Sequence, residues 1–147
     1  MQIKKYTDYG LRTLIYLGAR APGSQATINE ICAAYDIPRN HLNKVIHQLG
    51  KEGFIVTKRG RNGGFALAAL PEEIRLDRVI RLLEGDTPWV DCHSTACNIE
   101  PFCELQHILA GGKELFYQYL ADYTLASLLR NESQLNRIFT TKLVNSL

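Results

Sequence analysis

The chain has 147 residues, of which 46% are hydrophobic and 22% are charged. This length fits about one domain with a moderate core, and the composition excludes a disordered chain. The sequence has no run near the roughly 18 apolar residues of a membrane span, and its first residues lack the apolar stretch of a secretory signal. We therefore expect a cytoplasmic protein, whose thiols stay reduced.

The net charge of +2 is unevenly distributed. Between residues 39 and 61, six lysines and arginines accompany a single acidic residue, Glu52. A basic segment on a nearly neutral body predicts a focused contact with a polyanion. A solvated charged surface is the alternative.

Three helical patterns occupy the first fifty residues. Apolar residues recur at helical spacing over residues 3–20. Thr27 and Glu30 match a capping box at the start of a second helix, and Pro38 suits the start of a third. The third helix has an apolar stripe and ends at the glycines of residues 50–53. Two short helices joined by a tight turn form a helix-turn-helix.

The polar face of the third helix is the first candidate for DNA contact. Its side chains can hydrogen-bond to base edges and phosphates, and it has no acidic residue before Glu52. Together with the start of the second helix, the predicted DNA-binding residues here are Thr27, Arg39, Asn40, His41, Asn43, Lys44, His47 and Gln48.

A β-hairpin follows. A β-branched run in residues 54–59 and an apolar run in residues 65–70 lie on either side of a glycine-rich turn. Its tip carries Arg59, Arg61 and Asn62. After a helix-turn-helix, such a hairpin is interpreted as a wing whose arginines enter the minor groove. A surface turn with incidental arginines is the alternative.

The second half predicts a short amphipathic helix over residues 74–84, then a loop, then helix from Phe102 with a break at Gly111-Gly112. Beyond the break is an apolar and aromatic stripe that we interpret as a dimerisation helix; packing within the chain is the alternative. Residues 132–147 resemble a short terminal helix or a mobile tail. The stripe consists of Leu115, Phe116, Tyr119, Leu120, Tyr123, Leu128 and Leu129.

The expected fold is mainly α with a small β-hairpin. A winged helix-turn-helix DNA-binding domain would occupy residues 1–71. Residues 72–147 would hold a cofactor loop, residues 86–104, and a long C-terminal dimerisation helix.

Three of the four cysteines lie in that loop, as Cys92-x4-Cys97-x5-Cys103. A disulfide would leave one of the three unpaired, whereas a metal or an iron–sulfur cluster can use all three as thiolates. A structural zinc site stays open, although the loop lacks an obvious fourth ligand. Cys32 lies on the apolar face of the second helix and is expected to be a small buried hydrophobe.

Three motifs carry a family resemblance: Thr7-Asp8-Tyr9-Gly10-Leu11-Arg12, the wing Arg59-Gly-Arg-Asn-Gly-Gly64, and the three cysteines before a long helix. They resemble the IscR/NsrR/RirA superfamily of winged-helix iron–sulfur regulators. The cysteine spacing and Asp122-Tyr-Thr-Leu-Ala126 are most similar to the NsrR type, which are nitric-oxide-sensing repressors.

The resemblance implies a homodimer with one cluster per subunit, [4Fe–4S] favoured and [2Fe–2S] possible, held by Cys92, Cys97 and Cys103. It also implies an acidic ligand from the first helix of the partner subunit, and the matching position here is Asp8. A surface ion pair with Arg12 is the alternative for Asp8. A histidine ligand such as His93 or His107 would suggest another branch of the superfamily.

The expected function is therefore a nitric-oxide-sensitive repressor of nitrosative-stress defence genes, binding double-stranded operator DNA, and not an enzyme. One alternative is a regulator of the same superfamily that responds to iron or cluster status. The other is an iron–sulfur electron-transfer or thiol redox protein, in which the basic face and the wing would have no purpose.

Overall fold

The computed structural model describes residues 2–60, 63–92, 94 and 97–145. It is mainly helical with one two-stranded antiparallel hairpin, as expected. In chain order the elements are α1 (Lys5–Gly18), α2 (Ile28–Tyr35), α3 (Arg39–Lys51), β1 (Ile55–Lys58), β2 (Gly64–Leu67), α4 (Leu76–Glu84), α5 (Glu104–Ala121), α6 (Leu125–Leu128) and α7 (Glu132–Asn145). Among the described helices, none is long and apolar enough to cross a membrane.

The helix-turn-helix is formed by α2 and α3. The capping box is confirmed: the Thr27 hydroxyl accepts from the Glu30 N–H at 3.3 Å, and the Thr27 N–H donates to the Glu30 carboxylate at 2.6 Å. Asp36 ends α2 in the left-handed conformation, with φ of 56°, and turns the chain toward α3. The predicted stripe of α3 is fully or almost fully buried, at Leu42, Val45, Ile46 and Leu49.

The hairpin pairs Ile55 with Leu67 and Lys58 with Gly64. It is attached to the helices by a further bridge, in which Ala26 and Phe65 exchange backbone hydrogen bonds of 2.9 and 2.8 Å. The hairpin therefore has a fixed position beside α3.

Helix α1 packs against α3, α4 and α6. A Cβ atom at Gly10 would collide with the Leu83 side chain, so the glycine lets α1 and α4 approach closely. Helix α1 contacts α3, which precedes residue 71, and also α4 and α6, which follow it. The predicted domain boundary after residue 71 stays a prediction.

The predicted break at Gly111-Gly112 is wrong, because α5 runs without interruption from Glu104 to Ala121. Two glycines cost a helix roughly 1 kcal/mol each, which tertiary contacts can offset. Gly112 lies under the Trp89 ring, where a Cβ would be 3.8 Å from Cζ3. Lys113, next to it, is tied to the loop before the cysteines.

The apolar stripe is divided between the chain's own core and its surface. Four of its predicted members pack half-buried against the chain's own clusters, namely Phe116, Leu120, Tyr123 and Leu129. By contrast, Leu115 is 67% exposed, Tyr119 is 63% exposed and Leu128 is 38% exposed. The chain's own packing therefore accounts for part of the stripe and leaves Leu115 and Tyr119 on the surface of α5.

Residues 132–145 form a helix, α7, that docks on α1 and α2. Phe139 is 6% exposed and packs between Tyr16 and Tyr35, with ring centroids 4.9 and 5.3 Å away. The Asn136 side-chain amide donates to the Ala19 carbonyl at 2.5 Å. The C-terminal helix thus completes the core of the first half.

Candidate nucleic-acid interface and metal centre

The face of α3 that points away from the core is polar and exposed. Arg39 Nη1 donates to Asn29 Oδ1 on α2 at 2.7 Å, which fixes one end of this face. The buried stripe on the opposite side holds the helix so that these side chains project outward. The exposed members of the predicted set are Arg39, Asn40, His41, Asn43, Lys44 and His47.

Gln48 differs from the other predicted contacts. It is half-buried, its Oε1 accepts from the Tyr6 hydroxyl at 2.6 Å, and its Nε2 donates to the Leu82 carbonyl at 3.3 Å. Since both ends of its amide are bonded within the protein, Gln48 lies at the junction of α1, α3 and α4, and its contact with DNA stays a prediction.

The wing is described only in part. Lys58 and Arg59 are exposed at its tip, whereas Arg61 and Asn62 lie outside the described residues. Thr27 is exposed at the start of α2, where its hydroxyl also serves the capping box. This hairpin, the start of α2 and the polar face of α3 contain the predicted DNA contacts that lie on the described surface.

The three loop cysteines have half-buried thiols, and backbone hydrogen bonds hold the loop segments that carry them. The Cys97 N–H donates to the Cys92 carbonyl at 3.3 Å, and the Cys103 N–H donates to the Glu100 carbonyl at 3.3 Å. Cys103 is the N-cap of α5, so its thiol lies at the positive end of that helix.

The donor set fits a soft metal or an iron–sulfur cluster. Burial, followed by the charges of Cys97, Glu100 and Cys103, raises the pKa of the Cys92 thiol. Thiolates that approach one another repel, and a bound cation relieves that repulsion. Across the residues that the structure describes, no three His, Cys, Asp or Glu side chains converge into a closed metal site. The site would therefore have to close upon binding.

The stem of the loop is fastened to α5 by charged groups that the sequence did not single out. Asp86 accepts from Lys113 Nζ at 2.7 Å, and Lys113 also donates to the Thr87 carbonyl at 3.0 Å. The hydrogen bond from Lys113 lowers the pKa of Asp86. Arg81 of α4 pairs with Glu114 at 3.0 Å and lies over the Tyr117 ring, 4.0 Å from its centroid.

Asp8 lies in the first turn of α1 and is half-buried. Arg12 Nε donates to its Oδ1 at 2.9 Å, and the Arg12 guanidinium lies 5.6 Å from the centre of the Tyr35 ring. Within one chain, Asp8 therefore has the ion-pair arrangement and is not grouped with the cysteines.

Cys32 and His107 lie outside the group of three loop cysteines. Cys32 is half-buried against the main core, and burial raises the pKa of its thiol. His107 is exposed on α5, and His93 lies outside the described residues.

Residues 3–131 match the family model described as "Rrf2: Iron-dependent Transcriptional regulator". The chain belongs to the Rrf2 family. It is 42% identical over 138 residues to the HTH-type transcriptional regulator NsrR of Oceanobacillus iheyensis, covering 92% of this chain and 94% of that one. It is 39% identical over 145 residues to NsrR of Bacillus subtilis, covering 97% and 99%.

Solved structures agree on the fold. The oxidized form of Staphylococcus aureus CymR superposes with a TM-score of 0.70 at 25% identity, covering 88% of this chain and 97% of that one. T. potens IscR gives a TM-score of 0.67 at 22% identity, covering 89% and 88%. This Rrf2 member is therefore a winged-helix transcriptional regulator, which confirms the expected fold and functional class.

Proposed function

We propose that this Rrf2 regulator is a dimeric repressor whose DNA binding depends on an iron–sulfur cluster and is switched by nitric oxide. The observation that carries the proposal is a cysteine loop with three half-buried thiols at the head of α5, in a chain that also presents a basic DNA-reading face. The identity to NsrR relatives along nearly the whole chain supports it. Membership of a transcription-regulator family favours this function over an enzyme, and we place the protein in the cytoplasm.

The DNA-binding step follows from the charges of the exposed surface. In our proposal α3 enters the major groove, where Asn and His side chains read base edges, while Arg39 and Lys44 neutralise phosphates. Arg59 on the wing contacts the adjacent backbone or minor groove, with Arg61 and Asn62 beside it in sequence. Each phosphate contact adds to the salt dependence of binding.

The homodimer is proposed from the exposed part of α5. Leu105, Ile108, Leu115 and Tyr119 are each more than half exposed, and Phe102 before the helix is 90% exposed. A contiguous apolar face of this kind marks a protein interface. In a two-fold dimer packed on α5, the two α3 helices would be related by the same two-fold axis, as a two-fold DNA site requires.

Cys92, Cys97 and Cys103 would hold one cluster per subunit, [4Fe–4S] favoured over [2Fe–2S]. A cluster bound there would supply iron that reacts with nitric oxide. Asp8 of the partner subunit is our proposed fourth ligand, because it matches the acidic position that the family resemblance implies. Carboxylate is a harder and weaker ligand for cluster iron than thiolate, so an iron held there would be the exposed and reactive one. Within each chain, Arg12 orients the Asp8 carboxylate. When Asp8 is not a ligand, its carboxylate would keep the ion pair with Arg12.

The ligand set is tested by anaerobic purification with iron and sulfide analysis. Cys97→Ser is expected to lose the visible absorption and most of the iron, whereas Cys32→Ser, the matched control, keeps both. A wild-type protein that contained zinc and had no visible absorption would contradict the proposal.

A second candidate is a regulator that reports iron supply, which the description of the matched family as iron-dependent favours. DNA affinity measured after anaerobic iron chelation and after nitric oxide exposure separates the two. Release at low nitric oxide with an unchanged response to moderate chelation supports the first candidate, and the reverse order supports the second.

A further inference from the structure

A hydrogen-bonded bridge joins the helix that carries Asp8 to the helix that faces DNA. The Tyr6 hydroxyl of α1 lies 2.6 Å from Gln48 Oε1 and 3.1 Å from the Lys44 carbonyl, both on α3. Gln48 Nε2 donates to the Leu82 carbonyl of α4 at 3.3 Å. We call this set, Tyr6, Lys44, Gln48 and Leu82, the Tyr6 bridge.

The Tyr6 bridge holds side chains that are not free to reorient. Tyr6 and Gln48 are both half-buried, and the Tyr6 hydroxyl is the donor to Gln48 Oε1. The amide of Gln48 is oriented from both ends, because its oxygen accepts from α1 and its nitrogen donates to α4. Movement of any one helix therefore strains the hydrogen bonds to the other two.

The Tyr6 bridge also lies between the two functional regions. Tyr6 precedes Asp8 by two residues in the first turns of α1. At its other side, α4 ends at Glu84, whose carboxylate accepts from the Lys4 N–H at 2.8 Å and whose carbonyl accepts from Lys4 Nζ. The chain then passes directly into the loop that holds the cysteines.

On α3 the attachment point is close to DNA-facing side chains. The carbonyl that Tyr6 contacts belongs to Lys44, and Asn43, Lys44 and His47 are exposed on the same helix. The bridge is the one hydrogen-bonded link between α1 and α3 among the described residues. Elsewhere these helices meet through apolar packing and through the rings of Tyr9 and His41, whose centroids are 6.3 Å apart. Such contacts tolerate sliding better than a directed hydrogen bond.

We propose that Tyr6 is a positioning residue that transmits the state of the Asp8 and cysteine site to the recognition helix α3. This inference rests on the proposed function. A change at Asp8 or at the loop stem moves α1 against α4, and the Tyr6 hydroxyl carries that movement to α3 through Gln48 and the Lys44 carbonyl. Without the hydroxyl, the cluster would still form and α3 would still bind DNA, but the two would be uncoupled.

The test compares Tyr6→Phe with Tyr9→Phe, the same chemical change on the same helix. The Tyr9 hydroxyl has no hydrogen bond within the described part of the chain, so it is the matched control. Full-length proteins are loaded anaerobically or left without cluster, and their affinities are measured for a duplex that the loaded wild type selects from a random library. The readout is the ratio of the affinities of loaded and cluster-free protein.

Tyr6→Phe is expected to lower that ratio by about five- to tenfold, the equivalent of one or two hydrogen bonds, with dimer mass and visible spectrum unchanged. Tyr9→Phe is expected to keep the wild-type ratio. Gln48→Met, which keeps the side-chain volume and removes the amide, should reproduce the effect and add nothing to Tyr6→Phe in the double variant.

A readout independent of DNA is hydrogen exchange of the amides of residues 44–51. Cluster loading should change their protection in the wild type and in Tyr9→Phe, and leave it unchanged in Tyr6→Phe. If Tyr6 is only a structural pin, both affinities of Tyr6→Phe fall by the same factor and the ratio stays at the wild-type value, which overturns the inference. A wild type whose affinity is the same with and without cluster overturns the proposed function, and the inference with it.

Discussion

The place of α7 in the core of the DNA-binding half leads to a quantitative prediction about Phe139. Its ring is 6% exposed and packs on two tyrosine rings, whereas its neighbour Ile138 is 56% exposed. Truncating a buried phenylalanine to alanine costs about 3–5 kcal/mol, and truncating an exposed side chain costs about 0.5 kcal/mol or less. Phe139→Ala should therefore destabilise the whole first half, although residue 139 lies outside the segment that matches the family model.

The assay is urea unfolding of cluster-free protein at one fixed protein concentration, since a dimer's stability depends on concentration. With a slope of about 2 kcal/mol/M, the Phe139→Ala midpoint should fall by about 1.5–2.5 M, and the Ile138→Ala midpoint by about 0.25 M or less. Equal shifts for the two variants would refute the assignment of α7 to this core.

Four further substitutions have outcomes that follow from local geometry and charge. Gly64→Ala would place a Cβ 2.7 Å from the Ala26 carbonyl oxygen and should destabilise the hairpin, while Gly50→Ala, with only an ordinary contact at 3.8 Å in α3, should stabilise by about 0.5–1 kcal/mol in thermal unfolding. The hydrogen bond from Lys113 lowers the pKa of Asp86 in the folded chain. Its contribution to stability is therefore present above the pKa of Asp86 in the unfolded chain and is lost as the pH falls through the lowered pKa of the folded chain. Cluster-free Asp86→Asn should show a shallower loss of stability in acid unfolding. Leu115→Glu, on the exposed face of α5, should convert the dimer to a monomer in light scattering, and a variant that remains dimeric would contradict the proposed interface.

Local signals predicted the DNA-binding half well. The capping box at Thr27 and Glu30 depends on residues three apart, and the buried stripe of α3 depends on helical periodicity. Both are short-range rules that a sequence states directly. The prediction of a helix break at Gly111-Gly112 was wrong, because the helix propensity of glycine is also a local rule. The contacts that support α5 come from the preceding loop, where Trp89 lies near Gly112 and the Thr87 carbonyl accepts from Lys113.

The missed parts of the site depend on long-range contacts. Gln48 has a side chain that can hydrogen-bond to DNA bases, yet its amide is bonded to Tyr6 and Leu82. These partners are 42 and 34 residues away in the sequence. Likewise, no pattern indicates that Lys113 is bonded to Asp86. Such pairings follow from the packing angles of α1, α4 and α5, which periodicity does not specify.

The most direct test of the central claim is a nitric oxide titration of the anaerobic, cluster-loaded dimer, with visible absorbance and DNA anisotropy recorded on the same samples. The account predicts that DNA affinity falls in step with loss of the cluster absorbance, and that Cys97→Ser has the low affinity from the start. Full DNA affinity after complete loss of the absorbance would contradict it.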